Sequence, residues 1–253
     1  MEAILYICHG SRVKEASTQA IDFIHVCMEG QSNTIQEYCF LELQSPTIED
    51  AYDRCVQRGA TKIIAIPVLL LTAAHAKYDI PVILCKMKKQ YPEIELKYGK
   101  PIGVSDKMVD ILVERLKETN EKVTENSLVL LVGRGSSDPD VKRDLSQLAG
   151  LLRRRLPKSQ VQDCYLTAAS PTFAEALEMA EDSQSEQIFI IPYLLFTGIL
   201  MQSIQTAIKK IQKKGKQNFV LCRYLGYHPK IEKALSERIH EVSEEGAYVS
   251  NYS

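Results

Sequence analysis

The segment Ile4-Leu5-Tyr6-Ile7-Cys8-His9-Gly10-Ser11 returns 125 residues later as Val129-Leu130-Leu131-Val132-Gly133-Arg134-Gly135-Ser136. The same offset carries Leu41-Glu42-Leu43-Gln44-Ser45-Pro46-Thr47 onto Leu166-Thr167-Ala168-Ala169-Ser170-Pro171-Thr172. It also carries Ile66-Pro67-Val68-Leu69-Leu70-Leu71-Thr72 onto Ile191-Pro192-Tyr193-Leu194-Leu195-Phe196-Thr197. A fourth pairing, Lys100-Pro101-Ile102-Gly103 with Arg223-Tyr224-Leu225-Gly226, has drifted to 123. Blocks held in one register over such a distance mean that one supersecondary plan is written twice. The chain is therefore expected to fold as two homologous lobes, residues 1–120 and 127–253. They are joined across the polar stretch Glu118–Asn126.

Within each copy, short apolar runs alternate with longer amphipathic segments. In the first copy, Ala3–Ile7, Ile35–Leu41, Lys62–Leu71 and Ile94–Tyr98 have the length and β-branched or aromatic content of strands. Ile48, Ala51 and Cys55 share one face of a helix, as do Met108, Ile111, Leu112 and Leu116. Alternation of β and α predicts an α/β fold, a parallel sheet of about four strands per lobe with helices on both faces. Ser45-Pro46 and Ser170-Pro171 read as an N-cap hydroxyl before a proline in the first helical position, and Asp138-Pro139 reads the same way. The polar tail from Gly246 is expected to fray.

Composition narrows the function classes. With 45% hydrophobic and 25% charged residues the chain has the balance of an ordinary globular protein. Lys+Arg number 31 against 32 Asp+Glu, which gives no support for nucleic-acid binding through a basic surface. No apolar run is long enough to span a bilayer, and Met1 leads directly into a strand, so a cytoplasmic protein without a membrane partner is expected. The seven cysteines form an odd set with no C-x-x-C pair, which argues against a disulfide framework or a zinc knuckle. Most read as core fillers; Cys8 stands apart because His9 follows it.

In open α/β sheets ligands gather beyond the carboxyl ends of the strands. His9, Glu42 and His75 fall there, after three successive strands and 33 residues apart each time. A single strand-end histidine is ordinarily a capping or solvated group, but three ionisable side chains at three strand ends make a constellation. The second copy carries Arg134, Thr167 and Leu200 at the matching positions, so one site would serve the whole chain. His25 and His240 lie in helical segments and are assigned to structure, and His228 to a helix start. Two imidazoles and a carboxylate bind divalent first-row metals and move protons near neutral pH. A closed structural zinc site takes four ligands; this open set suits a metal that arrives and leaves.

The phrases Cys8-His9-Gly10-Ser11-Arg12, Phe40–Thr47, Pro67–Lys77 and Gly133-Arg134-Gly135-Ser136-Ser137-Asp138-Pro139-Asp140 together resemble the class II chelatases, over essentially the whole chain. The resemblance implies two flavodoxin-like lobes facing a cleft, and ATP-independent insertion of Fe²⁺ into sirohydrochlorin to give sirohaem. Iron would be a substrate and no cofactor would stay bound; Co²⁺ is the alternative metal. By the family pattern His9 and His75 would hold the metal and handle protons, with Glu42 completing a catalytic triad. Ser45 and the segment Leu70, Leu71, Thr72, Ala73 and Ala74 would touch the macrocycle. An anionic ring favours basic groups at the rim, for which Arg12, Lys77, Arg134 and Lys142 are candidates. Arg134, in the twin position of His9, is the first choice among them. The resemblance leaves open a monomer or a small homo-oligomer. Rival readings are a cobaltochelatase, a non-catalytic tetrapyrrole or metal carrier, and a histidine phosphatase. Cys8 opposes the last by occupying the place where an arginine is needed.

Overall fold

A computed structural model describes residues 1–30, 34–212 and 217–245, so the tail from Gly246 lies outside the described residues. The first copy forms β1 (Glu2–Cys8), α1 (Lys14–Glu29), β2 (Ile35–Phe40), α2 (Ile48–Gln57) and β3 (Lys62–Pro67). A π turn (His75–Asp79), α3 (Ile80–Gln90), β4 (Glu95–Tyr98) and α4 (Asp106–Lys117) follow. The second copy runs β5 (Ser127–Gly133), α5 (Pro139–Arg155), β6 (Gln160–Tyr165), α6 (Phe173–Glu181) and β7 (Gln187–Pro192). It ends with α7 (Ile199–Ile211), β8 (Asn218–Leu221) and α8 (Pro229–Glu245). All pairings are parallel, in the orders β2-β1-β3-β4 and β6-β5-β7-β8. The α/β fold with two four-stranded parallel sheets is the one the alternating pattern predicts.

Burial on both faces explains the near-continuous apolar strands. Alternate residues Ala3, Leu5 and Ile7 of β1 pack with Ile48, Ala51, Tyr52 and Cys55 of α2 and with Ile80, Leu84 and Met87 of α3. In the second sheet Leu128, Leu130 and Val132 meet Ala176 and Ala180 of α6 and Ile204 and Ile208 of α7. The helix faces read from the sequence are buried as expected, including Met108, Ile111, Leu112 and Leu116 of α4.

The assignment of α4 and α8 to sheets could not be read from chain order. Among the described residues two compact units emerge: Met1–Gly103 together with α8 from Ile231, and Val104–Lys230. Each copy has exchanged its last helix. Arg238 of α8 donates from Nε to the Pro101 carbonyl and from Nη2 to the Ile102 carbonyl. Its counterpart in α4, Arg115, donates to the Leu225 carbonyl in the other unit's equivalent loop. The anchoring is reciprocal, so the units do not part at the polar stretch that separates the two copies in sequence.

Three local expectations need correction. Ser45 and Ser170 are not N-caps; Ser45-Pro46 and Ser170-Pro171 are cis peptides. The caps are Thr47 and Thr172, each closing a reciprocal box with Asp50 or Glu175, because a T-x-x-acid pattern two residues further on satisfies more free N–H groups. Strand β3 ends at Pro67 rather than Leu71: its neighbour β1 ends at Cys8, and beyond Val68, whose N–H still reaches the Ile7 carbonyl, no ladder partner remains. The outer ends also retract, since β2 stops at Phe40 and β4 begins at Glu95. Asp138 does cap α5, accepting from the Asp140 N–H ahead of Pro139. His228 accepts the Lys230 N–H at the start of α8, the helix-start role expected of it.

Candidate metal centre

The strand order β2-β1-β3 reverses the direction of winding between β1 and β3, and ligands collect at such a switch point. His9 leaves β1, Glu42 follows β2, and His75 follows β3. One ligand atom from each lies within 4.8 Å of the other two. Among the described residues this is the one such cluster of histidine, cysteine, aspartate or glutamate. The imidazole rings of His9 and His75 meet edge to face, with centroids 4.7 Å apart and planes at 88°.

The loops are tied before the side chains converge. The Leu41 N–H bonds to the Cys8 carbonyl and the Glu42 N–H to the His9 carbonyl, so β2 delivers its carboxylate beside the end of β1. The Gln44 amide oxygen accepts the Ser11 N–H, a second tie between the same loops. Gly10 makes this approach possible. It adopts φ +98°, and a Cβ there would lie 1.9 Å from the Glu42 carbonyl oxygen. On the β3 side, the Leu69 and Leu70 carbonyls accept from Ile102 and Gly103.

Hydrogen bonding at Nδ1 distinguishes the two nitrogens of each ring. His9 Nδ1 lies 3.1 Å from the Gly10 carbonyl oxygen, and His75 Nδ1 lies 2.7 Å from Asp79 Oδ2. Both partners only accept, so a hydrogen on each Nδ1 satisfies these two contacts, and in the neutral ring that tautomer puts the lone pair on Nε2. His9 Nε2 stands 3.6 Å from Glu42 Oε1, too far for a hydrogen bond. Two imidazoles and a carboxylate with ligand atoms this close make an open set suited to a divalent ion. Nitrogen and oxygen donors of this kind bind at about 2.0–2.2 Å.

The remaining expected site residues are placed as follows. Leu70, Leu71, Thr72 and Ala73 are half-buried and Ala74 exposed, forming the loop from β3 to the π turn. Ser45 is exposed on the loop after β2. Arg12 is exposed and Lys77 half-buried, both in the unit that carries the triad; Arg134 and Lys142 are exposed in the other unit. Cys8 is buried in β1, which pushes its thiol far above the ordinary range. It stays protonated and packs, and it is no part of the ligand set. His25 and His240 are exposed on helices, away from the cluster.

Sequence reasoning missed Asp79. Its signal was present: a carboxylate four residues after a histidine in a helical stretch shares its face. A second signal lay in the repeat register. Ile80, Leu84 and Met87 of α3 match Ile204, Ile208 and Ile211 of α7 at an offset of 124, whereas the preceding strand matches at 125. The first copy thus holds one extra residue between Thr72 and Ile80, and there its helix opens with a π turn. The second copy enters α7 without one.

The CbiX family profile matches residues 3–119 and again 128–242. The chain belongs to the CbiX family. It is 51% identical over 239 residues to a sirohydrochlorin ferrochelatase of Priestia megaterium, covering 94% of this chain and 90% of the relative. A sirohydrochlorin cobaltochelatase of the same organism is 33% identical over 246 residues, covering 95% and 80%. The solved structure of SirB from Bacillus subtilis with Fe3+ superposes with a TM-score of 0.90 at 43% identity, covering 98% of both chains. The CbiX profile matches each copy separately, so the duplication seen in the sequence is a repeated family unit.

Proposed function

We infer that this CbiX-family chain is a sirohydrochlorin ferrochelatase, an ATP-independent lyase that inserts Fe²⁺ into sirohydrochlorin and releases two protons. The observation that carries the reading is the open His9–Glu42–His75 set, found in a chain that resembles a ferrochelatase over nearly its full length. Iron is a substrate here. His9 and His75 present Nε2 lone pairs to it, and Glu42 offers a carboxylate to protons leaving the pyrrole nitrogens as metal replaces them. A loose, three-donor set serves this reaction, because holding the ion more tightly than the transition state would slow its transfer.

The half-buried loop Leu70–Ala73, with Ala74 and Ser45, supplies small and apolar groups suited to the face of a flat ring. Arg12, Lys77, Arg134 and Lys142 are the cations we assign to its carboxylates, with Arg134 first because a guanidinium pairs with carboxylate through two parallel bonds. No helix among the described residues is long and apolar enough to cross a membrane, and we place the reaction in the cytoplasm.

Anaerobic metallation of sirohydrochlorin, followed by absorbance with Fe²⁺ and separately with Co²⁺, tests the reading. Turnover with Fe²⁺ is expected, and stoichiometric binding without turnover would make the chain a carrier instead. The 33% identical cobaltochelatase favours cobalt as the second reading, and a rate with Co²⁺ far above that with Fe²⁺ would establish it. His9→Ala and His75→Ala are each expected to lower the rate about 100-fold or more; normal turnover in either variant removes that residue from the mechanism. Arg134→Ala is expected to raise KM for the polycarboxylate with kcat and metal dependence little changed. An unaltered KM would assign Arg134 to structure.

A further inference from the structure

The two imidazoles are backed by different groups. The Nδ1–H of His9 points at a neutral peptide carbonyl, that of Gly10, while the Nδ1–H of His75 points at the carboxylate of Asp79. A carboxylate behind a ring fixes its tautomer and orientation, and its negative charge favours a cation held on the opposite nitrogen. A carbonyl fixes the tautomer with less electrostatic push. We propose that Asp79 is a positioning residue that makes His75 the principal metal-holding ligand, leaving His9 as the weaker one from which the ion is more readily released.

The backbone around this pair supports a dedicated arrangement. The π turn His75–Asp79 carries the extra residue of the first copy, and such turns concentrate at functional sites. Its first carbonyl, that of His75, accepts the N–H of Ile80 five residues on. The Tyr98 hydroxyl, reaching from β4, donates to the Ala76 carbonyl at 2.9 Å and braces the turn against the sheet. Ala76 is buried, whereas the Asp79 side chain is half exposed and makes no cap to α3. The structure therefore gives Asp79 one polar partner that matters to chemistry, and it is His75. The proposal rests on the metal-insertion reading for the purpose of the site, but its test does not need sirohydrochlorin.

Titrating the intact apo-protein with Co²⁺, followed by the visible absorption of the bound ion, reads metal affinity alone. Asp79→Ala is expected to weaken Co²⁺ binding about 10- to 100-fold, with the far-ultraviolet spectrum and thermal midpoint nearly unchanged because the side chain is exposed. Asp79→Asn keeps an acceptor without the charge and is expected to fall between Asp79→Ala and the native chain. The decisive comparison is a double-mutant cycle. In a His75→Ala background, Asp79→Ala should cost nothing further; in a His9→Ala background it should cost its full factor. An undiminished loss in the His75→Ala background, or native Co²⁺ affinity in Asp79→Ala, overturns the proposal. Failure of the enzymatic reading looks different: Asp79-dependent Co²⁺ binding would persist in a protein that does not metallate sirohydrochlorin.

Discussion

Gly10→Ala is expected to abolish most metal binding and to destabilise the first unit, whereas Gly135→Ala should destabilise the second unit and leave the metal centre intact. The two glycines are twins. Both have positive φ, +98° and +87°, and an added Cβ would lie 1.9 Å from the Glu42 carbonyl oxygen in one case and 1.8 Å from that of Thr167 in the other. A side chain at such a φ costs about 1–3 kcal/mol, and overpacking against backbone that must shift adds about 1–3 kcal/mol. The stability losses should therefore be similar, since both loops use the same pair of backbone hydrogen bonds. Only at position 10 does the displaced loop carry a member of the proposed metal set, Glu42, and adjoin another, His9. Denaturant midpoints and Co²⁺ titration of the folded fraction separate the two effects. Native affinity in folded Gly10→Ala would mean that the contact of the two loops is not what places Glu42.

The second large effect comes from the far end of the chain. A protein truncated after His228 lacks α8 and is expected to lose the fold of the unit that holds His9, Glu42 and His75, while the other unit survives. Ile231, Leu235, Ile239 and Val242 of α8 are buried. At about 1.5–3 kcal/mol each, their removal costs about 6–12 kcal/mol, which matches the whole stability of a typical domain. Polar ties disappear as well, among them the bonds from Arg238 to Pro101 and Ile102 and from the Lys97 ammonium to the Ser243 carbonyl. Limited proteolysis should cut within residues 1–103 and spare 104–228. A truncated protein that resists cleavage there and still binds Co²⁺ would refute the dependence.

Much of this was legible in the sequence, for identifiable reasons. The repeat gave the architecture because burial on both faces of a parallel sheet writes unmistakable apolar runs. His9, Glu42 and His75 could be brought together because strand ends converge in such a sheet whatever the loops do. The exchange of α4 and α8 left no trace of that kind: Met108, Ile111, Leu112 and Leu116 form the same apolar stripe against either sheet. Ser45 and Ser170 misled because Ser-Pro is also a common helix opening, while the caps lay two residues on at Thr47 and Thr172. Asp79 lay just beyond the Pro67–Lys77 phrase, where a single-residue slip in the repeat marked the π turn.

The exchanged helices also impose an order on biosynthesis. Translation delivers β1 through β4 first, yet α8 begins to emerge only after roughly 130 further residues, about 6–26 s later at ordinary elongation rates. The sheet bearing both imidazoles is thus begun first and completed last. A ribosome that stalls or terminates before α8 releases a product whose loops bearing His9, Glu42 and His75 have been made but whose supporting layer has not, so competence to hold the ion would report that translation has passed α8.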